Sequence, residues 1–284
     1  AAAAAAAAEE ESSRRSAPAL FLESRENGVP SIEREHVWRV YDAIAPQWHG
    51  TRYKAWPLVE TFARELDATV VGDVGCGNGK NGAAICCDGG RVCLACDVSV
   101  NLLRIAKRET KSFQSYECHA ADACVLPWRS GTLDAVLCIA VLHHISTLSR
   151  RRLVVKEAFR CLRVGGRALF YAWALEQENS ARSGHRFATA DVFVPFHLRQ
   201  HGEYWHETSE DAFVVENQAT TPVPQHATPD AAKNALVLQR YCHVFRRGEL
   251  EALVRDALGP DARVDDVYYD AGNWALSLTK VVAS

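Results

Sequence analysis

Three glycines and an acidic residue beyond them are spaced as a nucleotide-binding turn requires. Gly75, Gly77 and Gly79 in the segment DVGCGNGKN (residues 73–81) follow an apolar run and precede a stretch with helical spacing. Glycine lets the backbone approach a ligand closely and adopt positive φ. Asp97 ends the next apolar run, where a carboxylate can accept hydrogen bonds from both ribose hydroxyls of a nucleotide. The pattern predicts a cofactor site.

Two further acidic residues complete an acidic rim around this turn. Asp73 lies before the first glycine, and Asp122 follows the third apolar run, where it can accept a hydrogen bond from an adenine amino group. A positively charged cofactor suits such a rim, whereas a pyrophosphate prefers a helix N-terminus without carboxylates. Two alternatives stay open: binding of NAD, and a purely structural role in which Asp73 and Asp122 cap loops.

This order of acidic residues and glycines resembles the class I S-adenosylmethionine-dependent methyltransferases. The resemblance implies S-adenosylmethionine as the cofactor. The residues predicted to bind it are Asp73, Gly75, Gly77, Asn78, Asp97, Val98, Asp122, Ala123 and Ile139.

The elements around these residues alternate between short apolar strands and helices. Strands are predicted at 69–74, 92–96, 115–119, 133–139 and 167–173, and helices at 81–87, 100–110 and 149–162. Such alternation predicts a mostly parallel, doubly wound Rossmann-like sheet. The runs 263–269 and 274–281 flank Asp270-Ala-Gly-Asn273, which predicts that the last two strands form an antiparallel hairpin.

The chain is predicted to form one methyltransferase domain over residues 31–284. Residues 1–30 have the composition of a disordered arm. A helix is predicted to start at Ser31 and to stop at Pro46, and a second to span 57–66. Residues 176–236 break the pattern and predict an irregular insertion.

Six collinear segments narrow the family. They are VYDAIAPQWHGTRYKAWP (40–57), IAVLHHIS (139–146), YAWALEQEN (171–179), VFVPFHL (192–198), RYCHVFRRGELEALV (240–254) and YYDAGNWAL (268–276). Together they resemble the eukaryotic tRNA wobble-uridine carboxymethyl methyltransferases, which include a stand-alone catalytic subunit and a domain of an AlkB-homologue fusion protein. The sequence departs from that family at Asn81 and Cys242, where aromatic residues are expected.

The resemblance implies esterification of the carboxylate of 5-carboxymethyluridine at the tRNA wobble position. A carboxylate is already ionised at pH 7, so no strong base is required. A cation or hydrogen-bond donor must instead hold one carboxylate oxygen. Arg52 and His144 are the predicted catalytic residues for this role, with His143 as the less favoured member of the histidine pair.

Weaker predictions concern the wobble base. Tyr53, Lys54, Trp173 and His243 are candidate contacts, and Tyr41 is expected to shape the pocket. Two other functions stay open: a methyltransferase acting on a small quinone-like or sterol-like molecule, and a non-catalytic methyltransferase-like regulator.

Charge and family resemblance together predict the partners. The chain has 32 Lys and Arg against 35 Asp and Glu, a net charge of −3, so little of a tRNA footprint is evident. Basic clusters occur at 14–15, 150–152 and 246–247, and we interpret 150–152 as a solvated helix face. The resemblance implies tRNA and a small zinc-binding activator subunit that pairs with the sheet edge.

Composition supports a soluble intracellular protein, expected in the cytoplasm with the nucleus as a second location. No apolar run is long enough to span a membrane. The ten cysteines lack the spacing of a zinc site, so we expect buried free thiols and no metal. Because the chain opens on eight alanines and contains no methionine, we interpret it as a fragment or an altered sequence.

Overall fold

Short runs of valine, leucine, alanine and cysteine form the parallel centre of a seven-stranded sheet. The structure is a computed structural model and describes residues 25–26, 28–51, 54–86, 90–177, 186–199, 224 and 226–281. Two short strands, β1 (Arg25–Glu26) and β2 (Val29–Pro30), pair antiparallel apart from this sheet. The next five strands run parallel in the spatial order β5-β4-β3-β6-β7. They are β3 (Val70–Val74), β4 (Val92–Asp97), β5 (Tyr116–Ala120), β6 (Leu133–Ile139) and β7 (Leu162–Trp173).

The sheet ends in the predicted antiparallel hairpin. Strands β11 (Ala262–Asp270) and β12 (Asn273–Lys280) pair with each other, and β12 pairs antiparallel with β7. Ala271 and Gly272 both have positive φ, 48° and 82°, which matches the backbone of a tight two-residue hairpin turn. The predicted class I architecture is confirmed.

Helices cover both faces of this sheet. They are α1 (Ser31–Glu33), α2 (Arg39–His49), α3 (Pro57–Glu65), α4 (Gly82–Cys86), α5 (Val100–Glu109), α6 (Leu148–Cys161) and α7 (Glu249–Leu258). On one face, α6 and α7 pack buried aliphatic side chains against β6 and β7. On the other face, α3, α4 and α5 contribute to a second buried cluster. The sheet is therefore wound on both sides.

The first helical segment continues beyond the proline predicted to end it. A π-helical turn, Arg34–Trp38, joins α1 to α2, and Pro46 lies inside α2. A proline inside a helix removes the hydrogen bond to the carbonyl four residues earlier. Here that carbonyl belongs to Asp42, and Asn101 Nδ2 donates to it at 3.0 Å. The prediction that Pro46 ends the helix was wrong because a side chain from α5 replaces the lost donor.

Part of the stretch predicted as an irregular insertion is a strand. Strand β8 (Asp191–Arg199) pairs antiparallel with β10 (Ala235–His243), and β9 (Thr228–Asp230) pairs with the other edge of β10. Residues 178–185, 200–223 and 225 of that stretch, and the predicted arm up to residue 24, lie outside the described residues. The small sheet packs with α2 around Ile44, Leu238 and Tyr241.

Two observations concern the cysteines and the helices. Nine of the ten cysteines lie within the described residues; all nine are free, and all except Cys118 are buried. Among the described helices, none is both long and apolar enough to cross a bilayer.

Candidate functional site

The glycine turn after β3 has the backbone shape that its sequence predicts. Gly75 and Gly77 have φ of +68° and +56°, a region that side-chain-bearing residues rarely adopt. A Cβ on Gly75 would lie 2.2 Å from Val141 Cγ2, whereas a Cβ on Gly77 would meet no atom within 4 Å. The first glycine thus permits close packing against the chain after β6. The second leaves space for a ligand.

Asp97, at the end of β4, is fixed to this turn. Its Oδ2 accepts from the Gly77 N–H at 2.9 Å, and its Oδ1 accepts from the Ser99 N–H at 2.9 Å. Burial raises the pKa of this carboxyl, and the backbone hydrogen bonds oppose that effect. The carboxylate is therefore held in one orientation at the carboxyl end of the sheet.

Asp73 lies behind the turn and is fully buried. Its Oδ1 accepts from Asn81 Nδ2 at 3.1 Å, while its Oδ2 has no partner among the described residues. Burial raises the pKa of Asp73 to about 7. A buried carboxylate with an unused oxygen is unfavourable by itself. It suits a site that receives a positively charged or hydrogen-bond-donating ligand.

Asp122, after β5, is held by an arginine that the sequence suggested was solvated. Arg150 donates to Asp122 Oδ2 at 2.7 Å and to Glu33 Oε2 at 2.9 Å, and its side chain is only 11% exposed. Arg151 is also buried and donates to the Ile145 carbonyl. The interpretation of 150–152 as a solvated face was wrong for these two residues, because both tie α6 to the loops beside the site.

One cavity brings most of the predicted site residues together. It encloses about 1100 Å³ of space, part of it open to solvent. The predicted residues that line it are Tyr41, Gly75, Gly77, Asn78, Asp97, Val98, Asp122, Ala123, Ile139, His143, His144 and Trp173. The open space at Gly77 is the local feature that fits S-adenosylmethionine. Asp73, also predicted to bind the cofactor, does not line the cavity and lies buried behind the turn.

A strained residue leads from β6 to the histidine pair. Ala140 has φ of +62°, which is unusual for a residue with a Cβ, and its N–H donates to the Tyr171 carbonyl at 3.0 Å. The chain then enters the short 3₁₀ helix Leu142–His144. This path places both imidazoles at the carboxyl end of the sheet, where ligands bind in open α/β folds.

His144, the favoured histidine of the sequence prediction, is committed to internal hydrogen bonds. Its Nδ1 donates to the Tyr241 carbonyl at 2.9 Å, which leaves Nε2 to accept from the Tyr41 hydroxyl at 2.8 Å. Burial, opposed by the bond to the Tyr241 carbonyl, lowers the pKa of His144 to about 4. The ring is neutral at pH 7 and has no proton left to donate to a substrate.

His143 has the opposite arrangement. Its Nδ1 accepts from the Trp173 backbone N–H at 3.2 Å, so the proton of the neutral ring lies on Nε2. No described residue accepts from that Nε2. Burial, with the charge of Arg240 nearby, lowers the pKa of His143 well below its ordinary value. The geometry therefore favours His143 over His144 as a hydrogen-bond donor to a ligand.

Aromatic rings form the rest of the cavity wall. The His143 ring stacks on Trp173, with centroids 5.0 Å apart and planes 17° apart, and Trp38, Trp48 and Trp56 also line the cavity. These three tryptophans were missed as site residues. Trp38 and Trp48 share helical spacing with Tyr41, which is the signal that identifies them.

Several predicted site residues lie elsewhere. Arg52 and Tyr53 fall outside the described residues, and Lys54 beside them is exposed. His243 does not line the cavity: its Nδ1 lies 3.0 Å from Asp191 Oδ1 and its Nε2 lies 2.6 Å from Glu249 Oε1. The structure gives His243 a role in holding β8, β10 and α7 together, in place of the predicted base contact.

Three side chains beside the cavity are of types that can bind a metal ion. Ligand-type atoms of His143, His144 and Cys242 all lie within 4.8 Å of one another. Both ring nitrogens of His144 are already hydrogen-bonded, however, and a buried guanidinium stands nearby. We assign no metal to this group.

Comparison with known proteins gives matches over the whole described core. A family model described as a methyltransferase domain matches residues 72–170. The tRNA (carboxymethyluridine(34)-5-O)-methyltransferase of Schizosaccharomyces pombe is 38% identical over 85% of this chain and 95% of its own length. The protein named tRNA (carboxymethyluridine(34)-5-O)-methyltransferase alkbh8 in Xenopus tropicalis is 33% identical over 90% of this chain. The chain spans 42% of the length of the Xenopus protein.

A solved structure resembles the fold at lower sequence identity. It is described as a complex between the Haloferax volcanii Trm112 methyltransferase activator and a methyltransferase. Its TM-score is 0.53 at 14% identity, covering 85% of this chain and 98% of the other. Together with the methyltransferase domain match, this likeness confirms the predicted fold and agrees with S-adenosylmethionine as the cofactor.

Proposed function

Because the chain belongs to the family of tRNA (carboxymethyluridine(34)-5-O)-methyltransferases, we propose that it methylates the carboxylate of 5-carboxymethyluridine at the wobble position of tRNA. The product is a methyl ester. The tRNA is then the substrate, and the reaction depends on S-adenosylmethionine.

The cavity joins a cofactor half and a substrate half, and this arrangement carries the proposal. The glycine turn and Asp97 form one side. Trp48, Trp173 and His143 form another side of the same space. Single-stranded bases are commonly recognised by stacking on aromatic side chains, so such a wall suits a wobble base turned out of the anticodon.

The residues that would hold the cofactor follow from the geometry of the turn. Gly77 leaves room for it, Asp97 offers carboxylate oxygens, and Asp122 and Ala123 line the same end. When bound, S-adenosylmethionine supplies an electrophilic methyl group whose bond to sulfur breaks, with its electron pair, as the new bond to the carboxylate oxygen forms.

The chain's own residues have to orient the acceptor, and they need not remove a proton. A carboxylic acid with a pKa near 4 is ionised at neutral pH. His143 and His144 are both neutral there, since burial lowers their pKa values. His143 Nε2–H donates a hydrogen bond to one carboxylate oxygen, and Trp173 stacks beside it. Rate enhancement then comes from positioning.

The partner proposal concerns the free edge of the sheet. Strand β5 ends the order of the described sheet and pairs on one side only, with β4. An unpaired strand edge invites pairing with another chain. We propose that the small zinc-binding activator implied by the family resemblance covers β5; the solved Haloferax volcanii structure is likewise described as a complex with a methyltransferase activator. Cytoplasmic localisation stays a prediction.

The decisive experiment uses the chain together with its activator subunit. The mixture is incubated with S-adenosylmethionine labelled in the methyl group and with tRNA carrying 5-carboxymethyluridine. We expect label on the tRNA that mild alkali releases, because a methyl ester hydrolyses under those conditions. Unmodified tRNA is the matched control and should stay unlabelled.

Two outcomes contradict the proposed function. Alkali-stable label would place the methyl group on a base or ribose. Label that appears only on a small molecule, with none on tRNA, would favour the small-molecule alternative.

A further inference from the structure

One buried arginine has a guanidinium without an anionic partner. Arg240, in β10, is only 5% exposed, and its Nε and Nη1 have no hydrogen-bond partner among the described residues. Arg150, by contrast, is similarly protected but pairs with Glu33 and Asp122. A buried charge without a partner is strongly unfavourable. An anion bound beside Arg240 would remove that cost.

Aromatic rings surround this guanidinium. Its Cζ lies 5.3 Å from the centroid of Trp48, 5.9 Å from that of Trp173 and 5.6 Å from that of Phe196. Cation–π attraction offsets part of the desolvation. Ring faces do not satisfy the in-plane N–H donors of a guanidinium, however, so these donors remain available to a planar acceptor.

Arg240 lies beside the aromatic wall of the cavity and is not itself among the residues that line it. Trp48 and Trp173 both line the cavity, as do His143 and His144. Tyr241, the next residue in β10, accepts a hydrogen bond from His144 Nδ1 at 2.9 Å through its carbonyl, so Arg240 is adjacent in sequence to a residue that contacts the histidine pair. No salt bridge within the described part of the chain joins Arg240 to a carboxylate, so the local charge is positive.

We propose that Arg240 binds the carboxylate of the acceptor nucleoside, an inference that rests on the proposed function. A guanidinium fork matches the two oxygens of a carboxylate, and a charge-assisted hydrogen bond of this kind is strong. Low exposure to solvent strengthens the attraction further. Arg240 then distinguishes a carboxymethyl group from its neutral amide counterpart. The oxygen that accepts the methyl group uses its second lone pair, which points away from the guanidinium.

The test compares Arg240→Met with the control Arg255→Met, which removes an exposed arginine paired with Glu251 on α7. Each variant is assayed with the activator subunit for S-adenosylmethionine binding, thermal unfolding and esterification of tRNA. For Arg240→Met we expect cofactor affinity within twofold of wild type and an unchanged or raised Tm. We expect kcat/KM with 5-carboxymethyluridine tRNA to fall at least 100-fold. Arg255→Met should match wild type throughout.

A second readout isolates recognition of charge. Wild type should bind tRNA carrying 5-carboxymethyluridine at least tenfold more tightly than tRNA carrying 5-carbamoylmethyluridine, the neutral amide. Arg240→Met should bind both equally. If Arg240 had only a structural role, Arg240→Met would weaken the binding of both tRNAs by the same factor.

Different results would overturn the role of Arg240 and the proposed function. If wild type esterifies tRNA and Arg240→Met does so within threefold of it, the role of Arg240 is overturned and the proposed function stands. If Arg52→Met removes discrimination against the amide while Arg240→Met keeps it, the carboxylate binds to Arg52 instead. No esterification by wild type overturns both. Should Arg240→Met not fold, Arg240→Gln provides the same comparison.

Discussion

At the scale of single residues, the site depends on whether a Cβ atom or a ring proton is present at particular positions. Gly75 and Gly77 share positive φ, yet a Cβ meets a neighbour only at Gly75. His143 and His144 are adjacent, yet only His143 keeps a ring proton for a ligand. In each pair one residue has a structural role and the other faces a ligand. Substituting them one at a time distinguishes the two roles.

The glycine pair gives the first prediction. Gly75→Ala should destabilise the fold, because its Cβ overlaps Val141 and its backbone conformation is strained, at about 1–2 kcal/mol for the strain alone. Gly77→Ala should cost only that strain but weaken S-adenosylmethionine binding at least tenfold, because the methyl group enters the cavity. Urea unfolding and calorimetric titration measure the two effects. A Gly77→Ala protein with wild-type affinity would argue against cofactor binding at this turn.

The histidine pair gives the second prediction. His143→Phe keeps the stacking on Trp173 but removes the donor. We expect kcat/KM to fall about 10- to 150-fold, because a hydrogen bond to a charged group contributes about 1.5–3 kcal/mol. His143→Gln should recover part of that loss. His144→Phe should instead lower the free energy of unfolding by about 1–3 kcal/mol, because the Tyr241 carbonyl and Tyr41 hydroxyl lose their partner. Equal activity losses without a stability difference would contradict these roles.

At the scale of elements, polar side chains connect the small sheet and the first helix to the helices that pack on the main sheet. His243 on β10 contacts Asp191 on β8 and Glu249 on α7. Glu33 in α1 accepts from Arg150 on α6 and from Ser146 before it. Such contacts fix where the small sheet and the first helix sit beside the cavity.

The His243 cluster predicts a pH dependence of stability. Burial alone would lower the pKa of His243, but its bonds to Asp191 and Glu249 raise it above the ordinary value. A raised folded-state pKa means that the stabilisation is complete below about pH 6.5 and is lost as pH rises through the folded value. The pKa values of Asp191 and Glu249 are lowered, so their contribution is lost at acidic pH instead.

The measurement compares wild type with His243→Gln by urea unfolding at pH 5.5 and pH 8. The stability difference between them should be larger at pH 5.5. His119→Gln, an exposed substitution on β5, is the control and should show no such change. A difference that grows toward pH 8 would have the wrong sign for this cluster.

The parallel strands could be predicted because most of them are short apolar runs, and β3, β4 and β6 are followed by helical segments. Leu133–Ile139 was predicted to the residue, and Gly131 and Thr132 mark its start. The effect of Pro46 could not be predicted correctly. The hydrogen bond that the proline removes is replaced by one from Asn101, which is distant in sequence. Arg240 was not identified for a similar reason: its place in an alternating strand gives no sign that β8 and α2 bring aromatic rings around it.

At the scale of the whole molecule, charge limits how tRNA can bind. The net charge is −3, and Arg150 and Arg151 are engaged inside the protein. Arg246 and Arg247 remain exposed after β10. Under the proposed function, we expect few phosphate contacts from this chain and the rest of the tRNA footprint from the proposed activator subunit.

Salt dependence tests this distribution of charge. The slope of log K against log salt concentration scales with the number of phosphates that a protein neutralises. For the chain alone we expect a shallow slope, of magnitude about 3 or less. With the activator subunit the slope should become steeper. Arg246→Ala together with Arg247→Ala should reduce it, and an equally steep slope without the partner would show that this chain carries the whole footprint.

The left-handed residue before the histidine pair has a consequence for how the pocket tolerates change. The positive φ of Ala140 turns the chain, and this turn sets the direction of the 3₁₀ helix that carries both imidazoles. Glycine would relax that torsion at little steric expense, but it would also let the turn sample other paths. Backbone strain at Ala140 thus helps to keep the histidine pair in one position. Relieving that strain should make the enzyme less selective for its acceptor.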